Sequence, residues 1–260
     1  MREIPGRRRR LWFRQDRENL QDRENRENRQ DRENRRSREN RRTGTPALLE
    51  TALVCATEWH WPVLPGVGLG PERRGERARG CACPDPECVV PGAHPFDPGI
   101  LAATTDERMV RWWWTNRPKA PIVLATGGRA PCAVSLPAAA GARALAALDR
   151  MGIRLGPIVA TPTRWSLLVA PYSMERLGEL LHAKDSVPGS LRFHGGGGYL
   201  VLPPSEAGAG PVHWVRAPLP GSARPWLPDV EAVVDALVEA SVPADGFSPP
   251  EAGDGAWLSY

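Results

Sequence analysis

The chain has 260 residues and a formal net charge of +4, unevenly spread: residues 1–42 carry 16 arginines against 9 acidic groups, and the remainder 18 basic against 21 acidic. A tail of net +7 on a body of net −3 excludes a broad non-specific nucleic-acid face on the body, while leaving room for a local one. No apolar run approaches the ~18 residues of a membrane span, no apolar signal segment follows the charged N-terminus, and five cysteines are an odd number for a disulfide framework. A soluble, cytoplasmic protein with no membrane partner is expected.

Residues 1–43 are low in complexity, with Arg-Glu-Asn recurring at 17–19, 23–25, 26–28, 32–34 and 38–40. Such a segment has too little apolar surface to offset its ordering entropy, so a disordered tail is expected, with Leu11-Trp12-Phe13 as its only local anchor. A folded domain is expected over 44–240. It opens with a helix marked by Leu48, Leu49, Ala52, Leu53 and Ala56, followed by a short strand from Trp61 to Pro65. Cys55, beside the helical stripe, reads as a small core residue.

A charged, turn-rich stretch at 67–80 leads into CACPDPECVVPGAH, residues 81–94, within a loop delimited as 79–96. Cys81, Cys83, Cys88 and His94 are spaced C-x-C-x4-C-x5-H. Pro84, Pro91 and Gly92 keep the segment out of regular helix and fix its turns. Three thiolates and an imidazole on one stiff loop suit a closed tetrahedral zinc site. A disulfide between two of the cysteines and a reduced, merely buried cluster are the alternatives. His60 is a second choice for the fourth ligand.

Thr104 with Glu107 forms a capping-box pattern opening a helix to about Asn116, with Trp112, Trp113 and Trp114 in succession. Three consecutive residues cannot share one helix face, so at least one tryptophan belongs at the surface. Pro121–Thr126 and Cys132–Leu136 read as two strands, and Gly127-Gly128 between them as a hairpin turn, with Cys132 in the core. Residues 138–151 form an alanine-rich helix with Leu145, Leu148 and Met151 inward, stopped by Gly152. Strands at 157–161 and 165–170 follow, then a short helix at 173–182. A four-glycine run at 195–198 precedes a strand from Tyr199 to Leu202, another strand covers Val212–Arg216, and a last helix after Pro228 carries Val230, Val233, Val234, Leu237 and Val238. Residues 241–260 are rich in proline and glycine and read as a flexible tail.

The entry helix with WPVLPG, the PGAHP segment, the tryptophan helix before ATGG, and GGYLVLPPS followed by HW come in an order that resembles the N-terminal prim-pol domain of bifunctional DNA primase/polymerases. The landmarks cover about residues 47–217. The resemblance implies an α/β (α+β) fold with an RNA-recognition-like mixed sheet, here supplemented by the zinc loop and the tail. It also implies, in active members, a carboxylate site with two Mg²⁺ or Mn²⁺ ions that joins nucleotides on a DNA template.

The chain departs from that pattern where the chemistry sits. The family's Asp-x-Asp pair, on the strand after the TG turn, is met by Ala133-Val134-Ser135-Leu136-Pro137, its histidine falls near Ser166, and its third acidic position near Arg192. No Asp or Glu lies between Pro121 and Leu148. The resemblance therefore points to a degenerate prim-pol protein, without catalytic residues, acting through DNA, nucleotide or partner binding. Arg164, Arg192, His194 and Tyr199 stand as nucleotide or DNA contacts, with Arg192 and His194 pairing with phosphate and Tyr199 stacking a base. Two other readings stay open. One is an active enzyme drawing on Asp149, Glu175 or Asp185; the other is a zinc-stabilised module that docks a replication or regulatory protein.

Overall fold

The computed structural model describes residues 44–71, 79–219 and 221–242, with side chains from Ala47 onward. The expected tail at 1–43 with its Leu11-Trp12-Phe13 anchor, the centre of the 67–80 loop, and the C-terminal tail beyond 242 lie outside the described residues. Helix α1 covers Gly44–Leu53, and its continuation over Val54–Glu58 widens to longer-range bonds, Trp59 N–H reaching Val54 O at 3.1 Å. This wider turn buries Cys55 and Ala56 together. Every strand belongs to the unit that begins at Leu48.

Three strands form a small antiparallel sheet: β1 (Val63–Pro65), β2 (Ile122–Ala125) and β7 (Tyr199–Leu202), in the order β1-β2-β7. Five form a larger one: β3 (Cys132–Pro137), β4 (Ile158–Ala160), β5 (Arg164–Val169), β6 (Arg192–His194) and β10 (His213–Arg216), in the order β10-β4-β5-β3-β6. A two-stranded hairpin, β8 (Glu206–Ala207) with β9 (Gly210–Pro211), completes the set. The α/β class is as expected. The pairing within the sheets is antiparallel throughout, where a mixed sheet was expected.

β2 and β3 do not form the hairpin that the double glycine suggested. β2 pairs with β7, and β3 pairs with β6. The segments 122–137 and 192–202 thus run side by side, and both leave one sheet for the other at their glycines. The two turns are stitched by Thr126, whose N–H donates to Gly198 O at 2.9 Å and whose Oγ1 donates to Gly195 O at 2.7 Å. Gly127 has φ of 90°, and a Cβ there would overlap the backbone of Gly196. A two-residue hairpin turn would have kept both strands in one sheet. The close approach of the other glycine run gives the chain a different partner on each side of the bend.

Alternation along the strands sorts the core. Cys132, Val134 and Leu136 of β3, with Ile158, Leu167 and Val169, pack under three helices: α3 (Ala138–Arg150), α4 (Met174–His182) and α5 (Val230–Ser241). All five apolar residues expected to line α5 are buried. In α3 the inward stripe is Ala140, Gly141, Ala144 and Leu148; Met151 follows the last helical residue and is exposed, against expectation. The opposite sheet face contributes Ala133, Val159 and Leu168 to a second core, shared with the three-stranded sheet, α1 and α2 (Glu107–Asn116).

Helix α2 is capped by Asp106, whose carboxylate accepts from Met109 N–H at 2.8 Å; Thr104 Oγ1 instead accepts from Asp106 N–H, two residues on. The expected Thr104 cap is thus displaced by an acid better suited to the helix dipole. Of the three tryptophans, Trp113 and Trp114 are buried and Trp112 is 61% exposed. Among the described residues no helix is long and apolar enough to cross a membrane.

Candidate functional site

On β3, Ala133, Ser135 and Pro137 share the face turned away from α3, α4 and α5, where Ala133 joins the second core and Ser135 is itself buried. Ser135 stands opposite Ser166 of β5 on one side and opposite Arg192 of β6 on the other, so Ser166, Ser135 and Arg192 form one cross-strand row. Arg164, two residues before Ser166, projects from the same face. His194, two residues after Arg192, does likewise. The strand register therefore brings together Arg164, Arg192 and His194, three of the four residues singled out for phosphate and base contacts.

Their contacts are specific. His194 Nε2 lies 2.5 Å from Ser135 Oγ. Arg164 Nη2 donates to Ser135 O and to Ser190 O, both at 2.8 Å, clamping β3 to the residues that lead into β6. Arg164 Nε is buried with no acceptor, a loss of about 1–3 kcal/mol for an unmade buried bond. Among the described residues neither Arg164 nor Arg192 forms an ion pair. Burial first, and then the Arg192 charge, lower the Arg164 pKa. His194 is held below the usual histidine range, chiefly by burial; a backbone bond with Tyr199 opposes this, and the charges of Arg164 and Arg192 reinforce it. At neutral pH the imidazole is the uncharged partner of two cations.

Tyr199 is placed differently. It lies on β7, opposite Ala125, and packs its half-buried side chain against the core shared with the small sheet. Sequence reasoning did not single out Ser135 as a member of the site. Its signal was the period of two: it is the polar member among residues 133, 135 and 137, and it is buried on a strand whose other residues are apolar.

The second cluster is Cys81, Cys83, Cys88 and His94, whose ligating atoms all lie within 4.8 Å of one another. His94 Nε2 is 3.3 Å from Cys81 Sγ and 3.4 Å from Cys88 Sγ. Tetrahedral zinc with bonds near 2.3 Å spaces its sulfurs about 3.8 Å apart, so little adjustment is needed. The outer contacts suit a metal too. His94 Nδ1 meets Pro95 O at 2.8 Å, which leaves Nε2 free to ligate, and Gly92 N–H donates to Cys81 Sγ at 3.2 Å. Burial raises the Cys81 thiol, but bonds from Gly92, Cys83 and His94 bring it down to about 6. Cys88, by contrast, is raised to about 11 by burial and by Cys81 and Cys83 beside it. Crowded thiolates of this kind call for a cation, and the group could hold a metal ion such as zinc.

All five cysteines are free, with Cys55 and Cys132 fully buried as expected of core residues. His60 is exposed, with φ of 55°, and stands outside the metal group. The loop carrying these four residues is built into the fold. Val67 N–H donates to His94 O, Ala82 N–H to Gly68 O, and Gly208 N–H to Pro91 O at 2.7 Å. Its Cys88 lies close enough to Tyr199 for its charge to raise the phenol pKa, after burial. The loop thus adjoins the strand that leaves the glycine run.

No other group of three or more His, Cys, Asp or Glu side chains that could hold a metal occurs among the described residues. Asp149, Glu175 and Asp185 are exposed and lie off the strands, and Asp149 is engaged by Arg216 at 2.9 Å. The family model for the bifunctional DNA primase/polymerase N-terminal domain matches residues 52–229, which enclose both clusters. No curated protein and no solved structure matches the chain.

Proposed function

The chain belongs to the bifunctional DNA primase/polymerase N-terminal family, and on that footing we propose that it is a catalytically silent member that binds single-stranded DNA or nucleotide at the sheet edge carrying Arg164 and Arg192. One observation carries the reading: the row Ser166–Ser135–Arg192 contains two hydroxyls and a guanidinium, and no carboxylate. Two-metal nucleotidyl transfer needs clustered acids to hold the ions that bridge triphosphate and primer hydroxyl. Magnesium or manganese chemistry belongs to the active-enzyme alternative, and Asp149, Glu175 and Asp185 offer it no clustered position. The Cys81, Cys83, Cys88 and His94 group takes zinc in this reading, as a structural ion beside the binding face.

The test has two arms. Template-directed nucleotide incorporation, with magnesium or manganese, is expected to be absent; a chelator-sensitive product would overturn the proposal. Fluorescence anisotropy with a single-stranded oligonucleotide at low and moderate salt is expected to show saturable binding, weakened when Arg192 and His194 are both changed to alanine. The basic tail is common to wild type and variant, so the difference belongs to the face.

A second reading, a docking module for a replication or regulatory protein, is favoured by Val89 and Phe96, which are exposed on the metal loop at 91% and 53%. A stable complex recovered without nucleic acid, and lost on changing Phe96 to serine, distinguishes it.

A further inference from the structure

We infer that the face formed by Arg164, Arg192 and His194 takes the phosphate chain of a nucleotide directly, with guanidinium groups in the place where a divalent cation would otherwise bridge it. The inference rests on the reading above and specifies the ligand of that site.

Arg164 from β5 and Arg192 from β6 flank β3 within electrostatic reach of each other. No salt-bridge partner offsets either one among the described residues. Arg164 is not free to turn away, because its Nη2 is fixed to two carbonyls, Ser135 O and Ser190 O. One side of the guanidinium is thereby anchored, and its Nε remains without an acceptor. Two like charges held together are relieved by an anion, and phosphate oxygens match the fork of arginine. His194, bonded to Ser135 Oγ, holds that hydroxyl in place beside the two arginines. A divalent cation at the same place would face two guanidinium groups and two serine hydroxyls, which is the wrong sign of field for it.

The ligand chemistry, a polyphosphate chain, could come from a nucleoside triphosphate or from free triphosphate, and the probes separate these. Full-length protein is titrated calorimetrically with ATP and with inorganic triphosphate, each in excess EDTA and again in excess magnesium. Saturable binding in EDTA is expected, weakened several-fold by magnesium, which neutralises the phosphates. Preference for ATP over triphosphate would mark the nucleotide as the source; equal affinity would mark the phosphate chain alone. Arg192→Glu, an exposed change, should reduce the EDTA affinity at least tenfold while the melting temperature stays put. Ser135→Asp, at a buried position, should also reduce the EDTA affinity, with some loss of melting temperature, and make any remaining binding magnesium-dependent.

Binding of both probes only in magnesium, or binding indifferent to Arg192→Glu, overturns the inference. The same samples are titrated with single-stranded oligonucleotide. Oligonucleotide binding without polyphosphate binding overturns this inference and leaves the broader reading standing, whereas loss of both removes the two together.

Discussion

Ser135 Oγ and His194 Nε2 meet at 2.5 Å across β3 and β6, a neutral hydroxyl–imidazole pair set between two guanidinium groups. The pair makes the face sensitive to pH. The charged groups facing His194 are Arg164 on β5 and Arg192 on β6, and both, with burial as the larger cause, depress its pKa. Between the ordinary histidine value near 6.5 and the depressed folded value, the unfolded chain binds the extra proton, so stability rises with pH in that window. The protein should therefore lose stability as pH falls below about 6.5. His194→Gln should lose less, and added inorganic triphosphate should recover part of the wild-type loss. Melting temperatures from pH 7.5 to 5 check this; wild type and variant falling in parallel would sink it.

Gly127 and Gly128 are adjacent, both have positive φ, at 90° and 66°, and should respond differently to alanine. A Cβ on Gly128 meets nothing within 4 Å, so Gly128→Ala carries only the backbone penalty, about 1–2 kcal/mol. On Gly127 the same methyl strikes the Gly196 backbone, and the cost should exceed that of Gly128→Ala by at least about 2 kcal/mol. Denaturant unfolding of the two variants decides it. Equal losses would mean that the two glycine turns do not pack on each other.

That pair also shows where the sequence was legible and where it was not. Local signals carried the elements: the valine and leucine stripe of α5, the strand either side of the double glycine, and the cysteine spacing were all readable from nearest neighbours. The partner of β2 was not, because it depends on Gly195–Gly198, about 70 residues away in the chain and with the same composition as any flexible turn. The three-residue β6 escaped notice for a related reason. Arg192-Phe193-His194 has too little alternation to register alone, yet it is ordered by pairing with Ala133, Val134 and Ser135. The site depended on that pairing. Arg164, Arg192 and His194 could be singled out as residue types, whereas Ser135 gained its role only when β6 was laid beside β3.

Removing the metal should be felt beyond the loop that binds it. Elemental analysis is expected to find about one zinc per chain, and finding none would remove the assignment. Cys81 is the informative ligand, since Gly92 N–H and the Leu69 bridge both converge on it. Cys81→Ser, or chelation of the wild type, should lower stability by several kcal/mol, each worth about 2–4 °C of melting temperature in a domain of this size. Because Cys88 lies within electrostatic reach of Tyr199, the same treatment should also change tyrosine fluorescence or amide exchange along β7. A metal-free protein with unchanged melting and unchanged β7 exchange would leave the loop an independent appendage.

Arg164 and Arg192 carry the same charge on the same face but are placed for different work. Arg164 bridges two carbonyls, Ser135 O and Ser190 O, from a half-buried position, while Arg192 is exposed. Arg164→Ala strips two charge-assisted bonds from carbonyls in the interior of the site and should cost about 1–3 kcal/mol. Arg164→Lys keeps the charge but loses the planar fork, and should recover only part of that loss. Arg192→Ala should leave stability within about 0.5 kcal/mol, the usual range for a surface change. In binding the order changes: removal of either arginine weakens affinity for triphosphate, but only Arg164 variants pair that loss with a lower melting temperature. Measuring both quantities on all three variants separates a residue that shapes the site from one that only contacts the ligand. Arg192→Ala melting as low as Arg164→Ala would show that the exposed guanidinium is structural and that the phosphate assignment rests on the wrong residue.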